Sequence, residues 1–369
     1  MKKIVIASDS FKGTISSKDI CDIYENIIKE NCLDIILKKV VLGDGGENTL
    51  EVFSNSFPRG EYHFLEVNGP NWNKVNAKYF TYDDIAVIEL AQASGLPLVT
   101  EKNSRVTTTY GVGELILDAY NKGFRKFYVA LGGSSSTDGG CGLLSALGIK
   151  FLDKDNKEFV PTGETLSNIF NIINKDLKVK DAHFTILSDV KNPMFGPKGA
   201  AYIFAKQKGA NEEDIKLLDD NLKYLNDLFV KHTGKHVKDI EGSGAAGATA
   251  SGMLTYLDAE IVSGIDTILA IIDFDTIIKG ADYVITGEGK LDTQSFNGKL
   301  IDGVLKYTSK AGVPTICICG AVRDEIIPRE RFYAIYETSP NVTDTEYIKK
   351  NARILYEQTA RQMLLNILR

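Results

Sequence analysis

Carboxylates, a lysine and glycines recur in three short loops: Ser8-Asp9-Ser10-Phe11-Lys12-Gly13-Thr14, Gly43-Asp44-Gly45-Gly46-Glu47 and Thr286-Gly287-Glu288-Gly289-Lys290-Leu291-Asp292. Several carboxylates facing one cleft repel one another unless a cation sits among them. Hard oxygen ligands with few histidines point to Mg²⁺ and a phosphate-bearing substrate. An ammonium in a glycine-bordered loop ahead of a helix, as at Lys12, holds a phosphate beside backbone N–H groups. Taken singly, each loop is explained better by chain turning and helix capping, for which Asp and Gly are favoured. One composition repeated at one expected edge favours the chemical reading.

A fourth loop, Leu131-Gly132-Gly133-Ser134-Ser135-Ser136-Thr137-Asp138-Gly139-Gly140, sits between an apolar strand and a helix, so its small residues let backbone amides approach an anion. Its candidate phosphate contacts are Gly132, Gly133, Ser134, Thr137, Asp138 and Gly139. They join Ser10, Gly45, Gly46, Gly287 and Lys290 from the first three loops. Asp189, just after the strand at 184–187, is placed to act as a base or a metal ligand. Thr107-Thr108-Thr109 leads into a helix, where Thr109 either holds a small carboxylate or simply caps the helix. The stretch Gly242-Ser243-Gly244-Ala245-Ala246-Gly247 matches GxGxxG, but residues 235–241 are not a convincing strand, so a dinucleotide site lacks its context. Close packing or a binding loop explains those glycines better. No Walker-type GxxxxGK[ST] and no GxSxG elbow occurs.

Short apolar runs at 3–7 and 35–42, with a helical pattern at 16–30 between them, open a βαβ unit. Residues 283–286, 313–318 and 332–335 are runs of the same kind, with a helix expected at 298–309. Between about 61 and 90 the pattern changes to antiparallel hairpins with Asn-Gly-Pro and Tyr-Asp-Asp at the joints. Helix and strand signals then alternate: helices at 112–120, 140–147 and 212–230, strands at 126–131 and 184–187. The expected fold is α/β with two domains. Residues 1–62 and 278–369 form one open parallel sheet from both chain ends, and 63–277 form an inserted α/β domain with a mixed sheet. Loops that follow parallel strands share one edge, where ligands bind, so Asp9, Lys12, Asp44, Glu47, Glu288 and Asp292 are expected to converge.

The chain has 369 residues, 43% hydrophobic and 25% charged, which is the composition of a folded globular protein. Its 43 Lys plus Arg against 49 Asp plus Glu give a net charge of −6 without basic blocks, which argues against nucleic acid and anionic membrane surfaces as partners. Five unevenly spaced cysteines fit reduced thiols in a cytoplasmic protein, and no apolar run is long enough for an export signal or a membrane span. His232 and His236 stand four apart without an intervening HExxH pattern, in a lysine-rich segment that reads as a solvated helix end.

Taken in order, SDSFKGT at 8–14, GDGGEN at 43–48, ELAQASGLPLV at 89–99, TTTYGVGELI at 107–116, GGSSSTDGG at 132–140, SDVKNPMFGPKGAA at 188–201, GSGAAG at 242–247 and TGEGKLDTQSFNGK at 286–299 resemble the bacterial glycerate kinase family, glycerate 2-kinases included. The resemblance runs over nearly the whole chain. It implies ATP-dependent phosphorylation of D-glycerate with Mg²⁺, in a protein with a flavodoxin-like (Rossmann-like) domain and a second α/β domain. The family usually has Gly where Asn48 stands, Cys at Ser188, an Ala-Thr-Asn series near 135–137, Arg at Lys290 and Pro at Ile301.

On charge and expected placement, Lys12 serves the transferring phosphoryl group. Asp44, Glu288 and Asp292 serve Mg²⁺ or its waters, and Asp189 accepts the hydroxyl proton, with Asp9 and Asp44 as competitors for that role. The reaction is expected in a cleft closed by the two domains. The alternatives are an NAD-dependent oxidoreductase of a small hydroxy acid resting on 242–247 and a non-catalytic sensor that binds glycerate or a nucleotide. A homodimer stays open.

Overall fold

The apolar run at the start of the chain is strand β1 (Lys2–Ile6), whose Ile4, Val5 and Ile6 are fully buried. The computed structural model describes residues 1–11, 14–43, 46, 48–296, 298–323, 326–340, 342 and 344–368. Helix α1 (Ser17–Glu30) follows, opened by a capping box. Ser16 Oγ accepts from Asp19 N and the Asp19 carboxylate accepts from Ser16 N, which satisfies two N-terminal donors. Strand β2 (Ile35–Lys39) completes the opening unit.

The chain continues through α2 (Thr49–Ser56), β3 (Glu61–Asn68), β4 (Lys74–Tyr82), β5 (Ile85–Glu89), α3 (Ala91–Ser94), α4 (Tyr110–Asn121), β6 (Lys126–Ala130) and α5 (Cys141–Ala146). Next come β7 (Lys150–Leu152), β8 (Glu158–Phe159), β9 (Asn171–Ile173), β10 (His183–Leu187), α6 (Glu212–Thr233), α7 (Ala245–Tyr256) and β11 (Glu260–Val262). The last stretch is α8 (Gly264–Ile271), α9 (Phe274–Ile278), β12 (Tyr283–Leu291), α10 (Leu300–Ala311), β13 (Thr315–Val322), β14 (Ala334–Glu337) and α11 (Thr345–Leu368).

Two units result: Met1–Asp44 with Ile265–Arg369, and Gly45–Gly264. In the first, the strands run β14-β13-β12-β1-β2 and every neighbouring pair is parallel, the open parallel sheet from both chain ends that the sequence leads one to expect. In the second, the order is β11-β10-β6-β5-β4-β3. Strands β11, β10, β6 and β5 are parallel, and the β3–β4–β5 hairpins add the antiparallel part of a mixed sheet. A small antiparallel sheet, β8-β7-β9, was not signalled by the sequence pattern.

The units divide at residues 44 and 264, earlier than the 62 and 278 read from the sequence, and packing supplies the reason. Phe53 of α2 lies 5.6 Å from the Tyr82 ring of β4, and Phe57 stacks on Tyr82 at 3.9 Å, which ties α2 to the mixed sheet. Farther on, Phe274 of α9 meets Tyr307 of α10 at 5.8 Å, and Gly303 of α10 lets Ile265 approach within 2.7 Å of where a Cβ would stand. Helices α8 and α9 therefore belong with the parallel sheet.

Helix α11 covers that sheet through Tyr356, Ala360, Met363, Leu364 and Ile367, all buried at the helical spacing of one face. Tyr356 is fully buried, with Phe11 edge-on at 5.3 Å and Tyr24 at 6.3 Å. It joins α11, α1 and the loop after β1 in one aromatic cluster. Tyr356→Ala should therefore lower stability by about 3–5 kcal/mol, read as the shift in the urea midpoint. A midpoint within error of wild type would show that α11 does not hold the loop.

Candidate functional site

Strand β12 is longer than the apolar run at 283–286 suggests, and it carries chemistry within its ladder. Gly287, Glu288, Lys290 and Leu291 pair in parallel with Ile318, Cys319, Ala321 and Val322 of β13. The glycines that read as a loop are what permit this: a Cβ on Gly287 would lie 1.9 Å from the Ile318 carbonyl oxygen, and one on Gly320 would lie 2.3 Å from that of Gly289. Beside this strand, the loop after β1 is anchored to Gly287. Asp9 N and Ser8 Oγ donate to the Gly287 carbonyl at 3.0 and 3.1 Å, and the Asp9 carboxylate accepts from Ser10 N at 2.7 Å. Asp9, Ser10 and Gly287 thus share one sheet edge, as an open parallel sheet requires.

Glu288 is half-buried, opposite Cys319 in the ladder. Lys290 Nζ pairs with Asp292 at 2.7 Å, and Asp292 also accepts from Gln294 N at 2.9 Å. Burial pushes the Asp292 carboxyl up, but Lys290, the Gln294 amide and Lys299 outweigh it and hold the group below its ordinary value. Among the described residues no three carboxylate, cysteine or histidine side chains gather as a metal site. Lys12, Asp44, Gly45 and Glu47 lie outside the described residues.

In the other unit the loops after β5, β6, β10 and β11 carry the motif residues. Glu89, at the end of β5 and 4% exposed, accepts from Leu50 N at the head of α2 (3.3 Å) and from Gln92 Nε2 (3.4 Å). Gly132 after β6 meets Gly46 backbone to backbone, so that a Cβ on Gly132 would stand 2.2 Å from Gly46 Cα. Asn48 stands at the N-terminal boundary of α2 at φ 71°, a left-handed conformation that suits the family's usual glycine and that Asn adopts most readily after it.

Only the first part of the 132–140 loop is accessible. Gly133 is exposed and Gly132 half-buried, Ser134 is 8% exposed, and 135–140 are buried. Ser135 bonds to Ser94 O through both N and Oγ (2.9 Å each), and Thr107 Oγ1 donates to Ser135 O at 2.9 Å. Asp138 is wholly buried and accepts from Thr109 N and Oγ1 (2.8 Å each), Gly140 N (3.1 Å) and Gly142 N (3.3 Å). The carboxylate that Thr109 holds is therefore the protein's own. Burial raises the Asp138 pKa, and those four hydrogen bonds oppose the rise. Thr109 and, within the loop, Thr137, Asp138 and Gly139 are thus interior groups, while Gly132 and Gly133 form the accessible end with the buried Ser134 directly behind it.

Asp189 is half-buried, and its Oδ1 accepts from Ser263 Oγ and Gly264 N, both at 2.9 Å. The glycines of 242–247 serve close packing. Gly244 N donates to Asn192 O, a Cβ on Gly244 would lie 2.2 Å from Pro193 O, and one on Gly247 would lie 2.2 Å from Ser136 O. Turns, not a strand, precede them, so the dinucleotide reading has no structural support. Sequence reasoning missed Lys208, which is 2% exposed and donates to Ser134 Oγ and Ser136 O. A lysine in Ala-Lys-Gln-Lys-Gly reads as surface, and nothing in its spacing signals otherwise.

Asp138→Asn should be costly, because an amide nitrogen must then face one of four N–H or O–H donors. Each lost bond to a buried charge is worth about 1.5–3 kcal/mol, so the melting temperature should fall by about 3–12 degrees for a unit of this size. A wild-type melting curve would show that Asp138 does not organise the loop.

The chain matches the model of the glycerate kinase family over residues 4–368. It is 36% identical over 373 residues to a glycerate kinase of Bacillus subtilis strain 168, covering 99% of this chain and 97% of that protein. It is 38% identical over 330 residues to a glycerate 2-kinase of Escherichia coli K12, covering 88% and 86%. The solved structure of a Salmonella typhimurium LT2 protein assigned as glycerate kinase 2 superposes with a TM-score of 0.81 at 32% identity, covering 99% of this chain and 98% of that one. With the fold matched and the family model matched over nearly the full length, the chain is an enzyme of the glycerate kinase family.

Proposed function

We propose that the chain transfers the γ-phosphoryl group of ATP to D-glycerate, giving 2-phosphoglycerate and ADP. The observation that carries this reading is the full-length likeness to glycerate kinases. The name of the Escherichia coli relative supports the 2-position.

The residues present fit Mg²⁺: Glu288 and Asp292, with Asp44, offer hard oxygens, and one or two carboxylates suffice where phosphate oxygens and waters complete the shell. Bound there, the ion would neutralise phosphate charge. Lys290 keeps Asp292 ionised for that task. Lys12 offsets charge on the transferring group, and Gly132, Gly133 and Ser134 hold phosphate oxygens. Asp189 accepts the proton of the attacking hydroxyl. Its Oδ1 is fixed by Ser263 and Gly264, which orients the carboxylate as a base requires. Five free cysteines suit a cytoplasmic setting. Among the described residues no helix is long and apolar enough to cross a membrane.

ADP release from MgATP should occur with D-glycerate and not with L-glycerate or without acceptor, and NMR of the product should show phosphate on carbon 2. Phosphate on carbon 3 would overturn the regiochemistry, and no release from folded protein would overturn the substrate. Asp189→Asn and Glu288→Gln should each lower kcat by about a hundredfold with an unchanged melting curve. Wild-type turnover in either variant removes that residue from the mechanism.

A further inference from the structure

We propose that Lys208 is a positioning residue that fixes the direction in which the Ser134 hydroxyl donates, and so sets the accessible end of the 132–140 loop for an anionic ligand. This rests on reading that loop as the phosphate-holding element of the proposed reaction. Lys208 is buried, and its Nζ lies 2.7 Å from Ser134 Oγ and 2.6 Å from Ser136 O. The chain delivers it by an irregular route. A π turn at Ala201–Ala205, with both end alanines fully buried, runs into a 3₁₀ turn at Lys206–Lys208. Gly209 follows at φ +94°, where a Cβ would lie 2.1 Å from Lys102 O. Such π turns are uncommon and concentrate at functional sites. Lys206, in the same turn, stays exposed and pairs with Glu212 at 3.8 Å, so burial is particular to Lys208.

A hydroxyl has one proton and two lone pairs. While an ammonium donates to Ser134 Oγ, the Ser134 proton is left for an acceptor beyond the lysine, at the loop end where Gly133 is exposed. A neutral amine can instead accept that proton, which reverses the bond and withdraws the donor from a ligand. Burial pulls the Lys208 pKa down to about 7 while Asp138 pushes it back up, so both forms are reached near neutrality. Asp138 is the charged group acting on it from the 132–140 loop. At the head of α6, Glu212 and Asp214 are taken by Lys206 and Arg105, the latter at 2.9 Å. The π turn and α7 carry no charged residue, and Lys102, whose carbonyl lies against Gly209, is exposed.

The test measures KM for MgATP and for D-glycerate from pH 6 to 9 in wild type, Lys208→Met and Ser134→Ala. In wild type, KM for the substrate held by the loop should rise about tenfold as pH climbs through 7, the loss of one charge-assisted contact, with kcat changing less. Both variants should show the raised KM at every pH and no slope. Ser134→Ala keeps the lysine in place and decides the matter if Lys208→Met does not fold. A slope that persists in Ser134→Ala, or a fall in kcat at constant KM in folded Lys208→Met, overturns the proposal. Calorimetric titration with MgADP and with D-glycerate over the same pH range reads the same effect without turnover. A wild type that releases no ADP therefore removes the proposed reaction and still leaves Lys208 tested.

Discussion

A carboxylate withdrawn from water must receive its hydrogen bonds from the fold, and Asp138 is wholly withdrawn. Its donors are the first residues of two helices: Thr109 before α4, and Gly140 and Gly142 around the start of α5. Thr109 Oγ1 in turn accepts from Leu143 N at 2.9 Å, so the charge, the hydroxyl and the helix ends form one closed set. Gly142 belongs to it by necessity, since a Cβ there would lie 2.9 Å from Asp138 Oδ2 and 2.2 Å from Thr108 Oγ1. The motifs at 107–116 and 132–140 are therefore one construction. The residues at 132–134 inherit their position from it.

Glycine acts in these loops less through flexibility than through approach. Gly132 against Gly46, Gly244 against Pro193 and Gly247 against Ser136 are contacts in which main chain meets main chain and no side chain fits. The run 246–248 goes further, with Ala246 and Ala248 at φ 54° and 66° on either side of Gly247. Left-handed alanine costs roughly 1–2 kcal/mol, and such strain persists where the surroundings over-determine it. Here Gly139 N donating to Gly247 O at 3.1 Å is part of what holds it.

The sheets were legible in the sequence because buried parallel strands are short apolar runs and hairpins alternate. Strand β4, at residues 74–82, falls in the stretch of hairpins expected between about 61 and 90, and both chain ends enter one sheet. Helix α11 was not legible, since none of its first eleven residues is fully buried and its fully buried face begins only at Tyr356. Helix α7 is buried almost all round and built mostly from Ala, Gly, Ser and Thr, so it has no apolar stripe to find. At the site, the edge shared by Asp9 and Gly287 follows from the topology of any open parallel sheet. The pairing of Thr109 with Asp138, 29 residues apart, does not follow from pattern. Each reads alone as a ligand contact, and only coordinates show that they satisfy one another.

Strand β12 shows why that difference matters for chemistry. Read as a loop, residues 286–292 would offer their charges on a mobile segment. As a strand they alternate, with Glu288 and Lys290 on one face and Gly287, Gly289 and the buried Leu291 on the other. The inner edge of β12 beyond Ile285 has no partner in β1, and the loop at 8–9 occupies that edge through the Gly287 carbonyl. The ladder to β13 fixes the opposite edge as far as Val322. A carboxylate at 288 is thereby held on a paired strand and a second, at 292, is held by Lys290 just past its end, a placement more exact than a loop can give. For the role in phosphoryl transfer proposed for Glu288 and Asp292, where the protein contributes chiefly position and charge, rigidity at that strand would be the physical requirement, and the glycines supply it by letting two backbones close on each other.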